Sequence, residues 1–297
     1  MDFGKLLTAM VTPFDAEGEI DYEATAKLIE HLITTGTDGL VIAGTTGESP
    51  TITNKEKVNL FKFVVKKVNG KIPVLAGTGS NNTRESVELT REAEKAGVDG
   101  IMLVVPYYNK PSQEGLYAHF STIAKATALP VMLYNIPGRS SVNMEPVTII
   151  RLSEIENIVS VKEASGDLDA AAEIIQNTGD DFSVYSGDDG LTIPMMAIGG
   201  TGVVSVSAHV IGNDMQAMIQ SFLAGNNKKA AAIHREILPV VKAIFSAPSP
   251  TPVKAALDYY GVPVGGVRLP LVPLNDLQMQ NLKETLQDYQ TDKKLVI

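Results

Sequence analysis

Residues 99–135, DGIMLVVPYYNKPSQEGLYAHFSTIAKATALPVMLYN, hold a complete strand–loop–helix–strand unit. Gly100–Pro106 and Pro130–Asn135 are short runs rich in Val, Ile and Leu without clean polar alternation, the pattern of strands buried on both faces of a parallel sheet. Between them Gln113–Thr127 has helical periodicity, and Ser112 stands where a helix N-cap is needed. The same alternation runs outward in both directions. It predicts further strands at Leu6–Val11, Gly39–Ala43, Pro73–Gly77, Ile158–Lys162, Phe182–Ser186 and Gly202–Val206. It predicts helices at Asp21–Thr35, Asn54–Asn69, Thr83–Ala96 and Leu168–Thr178. Thr53 with Glu56 and Asn82 with Glu85 read as N-terminal caps, and Gly36, Gly70 and Gly97 lie near helix ends.

Eight such units fit between Leu6 and about Gly225, the number that closes a parallel barrel. The competing open, doubly wound sheet usually carries a glycine-rich loop after its first strand, where this chain has Thr12-Pro13-Phe14-Asp15. The expected fold is therefore α/β, a (β/α)8 TIM barrel over residues 1–225. A helical domain over 226–297 follows, with helices at Asn227–Phe245, Pro252–Tyr260 and Asn275–Tyr289 packed on the barrel.

Composition narrows the chemistry. With 44% hydrophobic and 20% charged residues, the 297-residue chain is ordinary for a globular protein, and its net charge of −9 disfavours broad nucleic-acid binding. No apolar run approaches the roughly 18 residues of a membrane span. Met1-Asp2-Phe3-Gly4-Lys5 has no signal-peptide character, so a cytoplasmic enzyme is expected. There are no cysteines, and His31, His119, His209 and His234 lack metal-ligand spacing. No metal and no cofactor are expected, so covalent catalysis falls to Ser, Thr, Lys, Tyr or a carboxylate.

In a parallel barrel the active site lies at the C-terminal ends of the strands. Lys162 directly follows Ile158-Val-Ser-Val161, so its side chain belongs to a barrel strand. A buried, unpaired ammonium is costly. The bland alternative is an ion pair with Glu163 or Asp188. The functional reading is that burial, which lowers lysine pKa values by up to about 3–5 units, yields an amine able to form a Schiff base with a keto acid. Tyr134 ends the preceding strand, about 4.8 Å away, where a phenol could relay protons or simply fill the core. The loop Gly44-Thr45-Thr46-Gly47-Glu48-Ser49 offers N–H groups and hydroxyls suited to a carboxylate. Arg139, after Asn135-Ile-Pro-Gly138, could hold a second carboxylate or be a solvated loop residue. Gly199-Gly200-Thr201-Gly202 reads either as an anion loop or as a tight turn.

With these residues the chain resembles the dihydrodipicolinate synthase family, within the N-acetylneuraminate lyase superfamily, essentially from end to end. The resemblance rests on TAMVTPF (8–14), GTTGES (44–49), VPYYNKP (105–111), YNIPGR (134–139), VKEASG (161–166), YSGDD (185–189) and Gly199–Val206. It implies a class I aldolase-type lyase in which Lys162 binds pyruvate as an imine. Thr46 and Tyr134 would relay protons, completed by Tyr108 from a neighbouring subunit. Thr45 and Thr46 would hold the pyruvate carboxylate and Arg139 the carboxylate of L-aspartate 4-semialdehyde, while Gly187 and Val204 would line the pocket. The product would be 4-hydroxy-tetrahydrodipicolinate, leading to diaminopimelate and lysine, and the assembly a homotetramer built as a dimer of dimers. Sialic-acid and 2-keto-3-deoxy-sugar-acid lyases share the lysine and the tyrosine. Thr45 and Arg139 are what favour the synthase, and a non-catalytic ligand-binding barrel is the rival from another class. The family's lysine-inhibition site would correspond to Ser49, Pro50, Asn54, Lys57, Asn81, Glu85 and Tyr107. Inhibited members tend to carry histidine or an acid where this chain has Asn54 and Lys57, so weak or absent feedback inhibition is expected.

Overall fold

The computed structural model describes residues 3–295. Eight parallel strands close into one barrel in chain order: β1 Leu6–Ala9, β2 Gly39–Ile42, β3 Val74–Gly77, β4 Gly100–Val104, β5 Val131–Asn135, β6 Ile158–Glu163, β7 Ser183–Ser186 and β8 Gly202–Ser205. The helices between them are α1 Tyr22–Thr34, α2 Asn54–Val68, α3 Thr83–Ala96, α4 Gln113–Ala124, α5 Pro137–Ser140, α6 Pro146–Ser153, α7 Leu168–Asn177, α8 Thr192–Ala197 and α9 Ala208–Leu223. Then come α10 Asn227–Ile244, α11 Thr251–Tyr259 and α12 Asp276–Leu295. Each predicted strand is present. The segment leaving β5, read as a loop, is the helical turn α5, and α12 runs beyond the Tyr289 expected for its end.

Two apolar layers hold the barrel. Leu7, Val41, Leu75, Met102, Met132, Tyr134, Tyr185 and Val204 fill its interior. The outward-facing strand residues pack with Leu28, Phe61, Phe120 and Ile174 of the surrounding helices. Full burial of each such side chain contributes about 1.5–3 kcal/mol. Helix ends follow the capping chemistry: Thr53 and Glu56 form a reciprocal box on α2, and Asn82 accepts from the N–H groups of Arg84 and Glu85. Asn69 (φ 50°) and then Gly70 (φ 71°) both take left-handed φ where α2 closes.

The helices after β8 stay against the barrel, α10 lying along α9 and α12 against α10 and α11. His209 of α9 fastens β8 to β1. Its Nε2 accepts from the Val11 N–H at 3.1 Å, and its Nδ1 lies 2.7 Å from the Val206 carbonyl. Burial holds its pKa down at about 4, so the ring is neutral at ordinary pH. The Gly199–Gly202 segment is a tight turn: Gly200 donates to the Met195 carbonyl, and a Cβ there would stand 2.6 Å from Met195 Cγ. It enters β8 at the strand's N-terminal end, away from the catalytic face, which removes the anion-loop reading. Among the described residues no helix is long and apolar enough to cross a membrane.

Candidate active site

Lys162 and Tyr134 are register partners on β6 and β5, so their side chains leave adjacent strands on the same, inward face. Lys162 is 5% exposed, and its Nζ lies 4.4 Å from the centroid of the Tyr134 ring. Among the described residues no ion pair involves Lys162. The ion-pair alternative fails on strand geometry: Glu163, one residue on, points to the other face. There it accepts from Asn135 Nδ2 at 3.0 Å and from the Ser165 N–H at 2.6 Å. Burial raises the pKa of that carboxyl. Asp188 is likewise turned away, its side chain accepting from the Gly190 N–H.

A cavity of about 250 Å³ opens at this end of the barrel, lined by Tyr134, Thr45, Met102, Ile136, Arg139 and Ser140 among others. Lys162 is not part of its wall and meets it across the Tyr134 ring. Gly187 closes the far side of the amine. A Cβ there would lie 3.1 Å from Lys162 Cε and 2.4 Å from Ala164 Cβ, so only glycine leaves the lysine chain room. Val204, on β8, is buried in the same barrel interior.

The two threonines of the β2 loop are placed differently. Thr45 is half-buried and faces the cavity, whereas Thr46 is buried and does not. The loop is bracketed by Ala43 (φ 51°) and Glu48 (φ 57°), both left-handed without being glycine, a conformation that persists only where surroundings impose it. Thr12 Oγ1 donates to the Gly47 carbonyl at 2.7 Å and ties the loop to the segment after β1. Arg139, exposed on α5, lines the cavity. Tyr108 does not line it; it is 90% exposed with a left-handed φ of 71°, while its neighbour Tyr107 does.

A second cavity, of about 360 Å³, gathers Ser49, Pro50, Asn54, Lys57, Asn81, Glu85 and Tyr107, and shares Ser49, Pro50, Gly79 and Tyr107 with the first. Asn54 Nδ2 donates to Glu85 Oε1 at 3.2 Å, and Asn81 Nδ2 to the Tyr107 carbonyl at 3.2 Å. Burial lowers the Lys57 pKa, opposed by the nearby Glu85 carboxylate. Sequence reasoning missed Glu48 and Asp189. Asp189 is fully buried, its pKa raised by burial, and its Oδ2 takes the N–H groups of Val206 and Ser207 at 3.1 Å. Their places in the Tyr185–Asp189 and Gly44–Ser49 motifs were the available signals; what no local pattern showed was the distant partner of Glu48.

A closed (β/α)8 barrel that presents a buried lysine beside a strand-end tyrosine, at the mouth where a cavity opens, defines a lyase of the class I aldolase type. The sequence model of the dihydrodipicolinate synthetase family matches residues 2–289, and the chain belongs to that family. It is 60% identical over 295 residues to a 4-hydroxy-tetrahydrodipicolinate synthase of Oceanobacillus iheyensis, an alignment covering 99% of this chain and all of that one. The crystal structure of a dihydrodipicolinate synthase from Bacillus anthracis superimposes with a TM-score of 0.96 at 57% identity, covering 97% of this chain and 98% of that one. A dihydrodipicolinate synthase from Cyanidioschyzon merolae, solved with lysine bound, gives 0.95 at 47% identity with the same coverage.

Proposed function

We propose that this protein is a 4-hydroxy-tetrahydrodipicolinate synthase, condensing pyruvate with L-aspartate 4-semialdehyde through an imine on Lys162. The observation that carries the reading is the inward pairing of Lys162 with Tyr134 on neighbouring strands at the catalytic end of a barrel of this family. The Lys162 amine adds to C2 of pyruvate, water leaves, and loss of a methyl proton gives the enamine. The enamine carbon adds to the aldehyde. The amino group of the semialdehyde then displaces the lysine from the imine carbon, closing the ring and freeing Lys162.

Tyr134 is placed to move protons to and from the carbinolamine, general acid–base work worth roughly 10²–10⁴-fold. Thr45 and Thr46 were both expected to bind the pyruvate carboxylate, with Thr46 in the relay; the cavity-facing position of Thr45 favours it for the relay as well. Arg139 would take the carboxylate of the second substrate, and Gly187 and Val204 would shape the pocket floor. Tyr108, projecting from its own chain, is suited to complete a partner's relay. The assembly would then be a dimer at least, and by the family pattern a cytoplasmic homotetramer. Residues 226–297 would form a helical domain on the barrel of residues 1–225.

The test is acceptor choice. With pyruvate, L-aspartate 4-semialdehyde should be consumed at a kcat/KM at least about 10²-fold above that for N-acetylmannosamine or short sugar aldehydes, a site built for the carboxylate rejecting acceptors that lack it. A preference for the sugar aldehydes would make the protein a sugar-acid lyase. Feedback by lysine should be weak or absent. Lys57 and Asn54 already face Glu85, and an incoming ammonium near Lys57 meets repulsion of about 1 kcal/mol. Strong inhibition of initial rates by lysine below millimolar concentration would refute this.

A further inference from the structure

The loop that carries Thr45 is held from the far end of the chain. Glu48, its left-handed closing residue, places a carboxylate whose side chain is 1% exposed 2.7 Å from Nζ of Lys254, itself 3% exposed, on α11. The other carboxylate oxygen, Oε2, accepts the Arg268 N–H at 2.9 Å. Lys254 also donates to the Gly266 carbonyl at 2.6 Å. The Arg268 guanidinium donates through Nε to the Gly18 carbonyl, through Nη1 to that of Thr51 and through Nη2 to Glu56 Oε1 at 2.6 Å. Glu56 is the residue that caps α2 with Thr53, directly after the loop. Both cations stand over the Phe14 ring, at 4.2 and 4.4 Å from its centroid. The segment that carries them is pressed against the backbone of Phe14: a Cβ on Gly265 (φ +71°) would stand 1.8 Å from its carbonyl oxygen.

We infer that Lys254 and Arg268 are positioning residues for the reaction: Lys254 through the Glu48 carboxylate, and the Arg268 guanidinium through the Thr51 carbonyl and Glu56 just beyond it, hold the Thr45–Glu48 loop in the conformation that presents Thr45 to the cavity. A buried ion pair is a poor device for stability, because desolving both charges offsets most of their attraction. What it does supply is one geometry, since a carboxylate taken out of water must meet both of its partners. Ala43 and Glu48 occupy a strained backbone region that relaxes once the surroundings no longer impose it. The contact joins residues 206 positions apart, so the helices after the barrel act on chemistry they do not touch.

The inference rests on the function proposed above, and the experiment separates the two. Wild type, Lys254→Met, Lys254→Arg, Arg268→Ala and the double variant Glu48→Gln/Lys254→Met are compared for kcat, pyruvate KM, borohydride trapping of pyruvate and Tm. Lys254→Met should raise the pyruvate KM at least about tenfold and slow trapping, the consequence of misplacing a substrate-holding group. Lys254→Arg should recover to within about threefold, and the double variant should recover Tm but not KM. Arg268→Ala, a half-buried site, should show the KM rise even if Lys254→Met does not fold. Variants with wild-type kcat and KM and a loss confined to Tm would overturn the inference alone. A wild type that traps no pyruvate would overturn the proposed function and the inference with it.

Discussion

At Gly187 one added methyl group would stand 2.4 Å from Ala164 Cβ and 3.1 Å from Lys162 Cε. The first of these atoms belongs to the rigid strand end, so the strain passes to the lysine. Gly187→Ala should therefore cut kcat by at least about 10²-fold, in line with what small misplacements of reacting groups cost, while Tm falls by only a few degrees. Steady-state kinetics with a melting curve would check it, and unchanged kcat would show that Lys162 is not confined there. Lys162 itself was legible in the sequence, because a lysine ending an apolar strand is rare and the strand period assigns its face. The ion pair with Glu163 or Asp188 stayed open in the sequence, and the structure closes it by turning Glu163 to the opposite face, onto Asn135 and Ser165. Exposure was not legible. Nothing local distinguishes Thr45 from Thr46, and Ala43, Glu48 and Tyr108 take a left-handed φ that their residue types do not favour.

Among the elements, β1, β8 and α9 are joined by one neutral imidazole. His209 has an ordinary value of 6.5 and is held at about 4 in the fold. Between these values the unfolded chain binds a proton that the folded chain does not. The stabilisation is therefore fully present above pH 6.5 and is lost as pH falls toward 4, on the order of 3 kcal/mol in all. His209→Gln should show a flatter dependence of Tm on pH between 7 and 5 than wild type, by several degrees; parallel curves would contradict this. The comparison of slopes is needed because the raised carboxyls of Glu163 and Asp189 titrate with the opposite sign. The strands were read closely because both-face burial leaves a continuous apolar run, and α2, α3 and α4 because their caps are written locally. The turn α5 was read as loop because four residues opening on Pro-Gly carry no helical period. The Glu48–Lys254 contact escaped because no sequence pattern links residues so far apart.

Across the whole assembly, the role proposed for Tyr108, which is 90% exposed on its own chain, requires a second subunit. Lys162→Ala and Tyr108→Phe should each be nearly inactive. Mixed after dissociation and reassociation, they should regain about one quarter of wild-type turnover, the statistical share of sites that pair one intact lysine with one intact tyrosine in an isologous dimer. No recovery on mixing would place Tyr108 outside a partner's site. The central claim, an imine on Lys162, is tested most directly by reducing the protein with borohydride in the presence of pyruvate and mapping the modified peptide by mass. The expected result is a single pyruvate-derived adduct on the peptide containing Lys162, absent without pyruvate and absent in Lys162→Ala. An adduct on another lysine, or full turnover by Lys162→Ala, would contradict it.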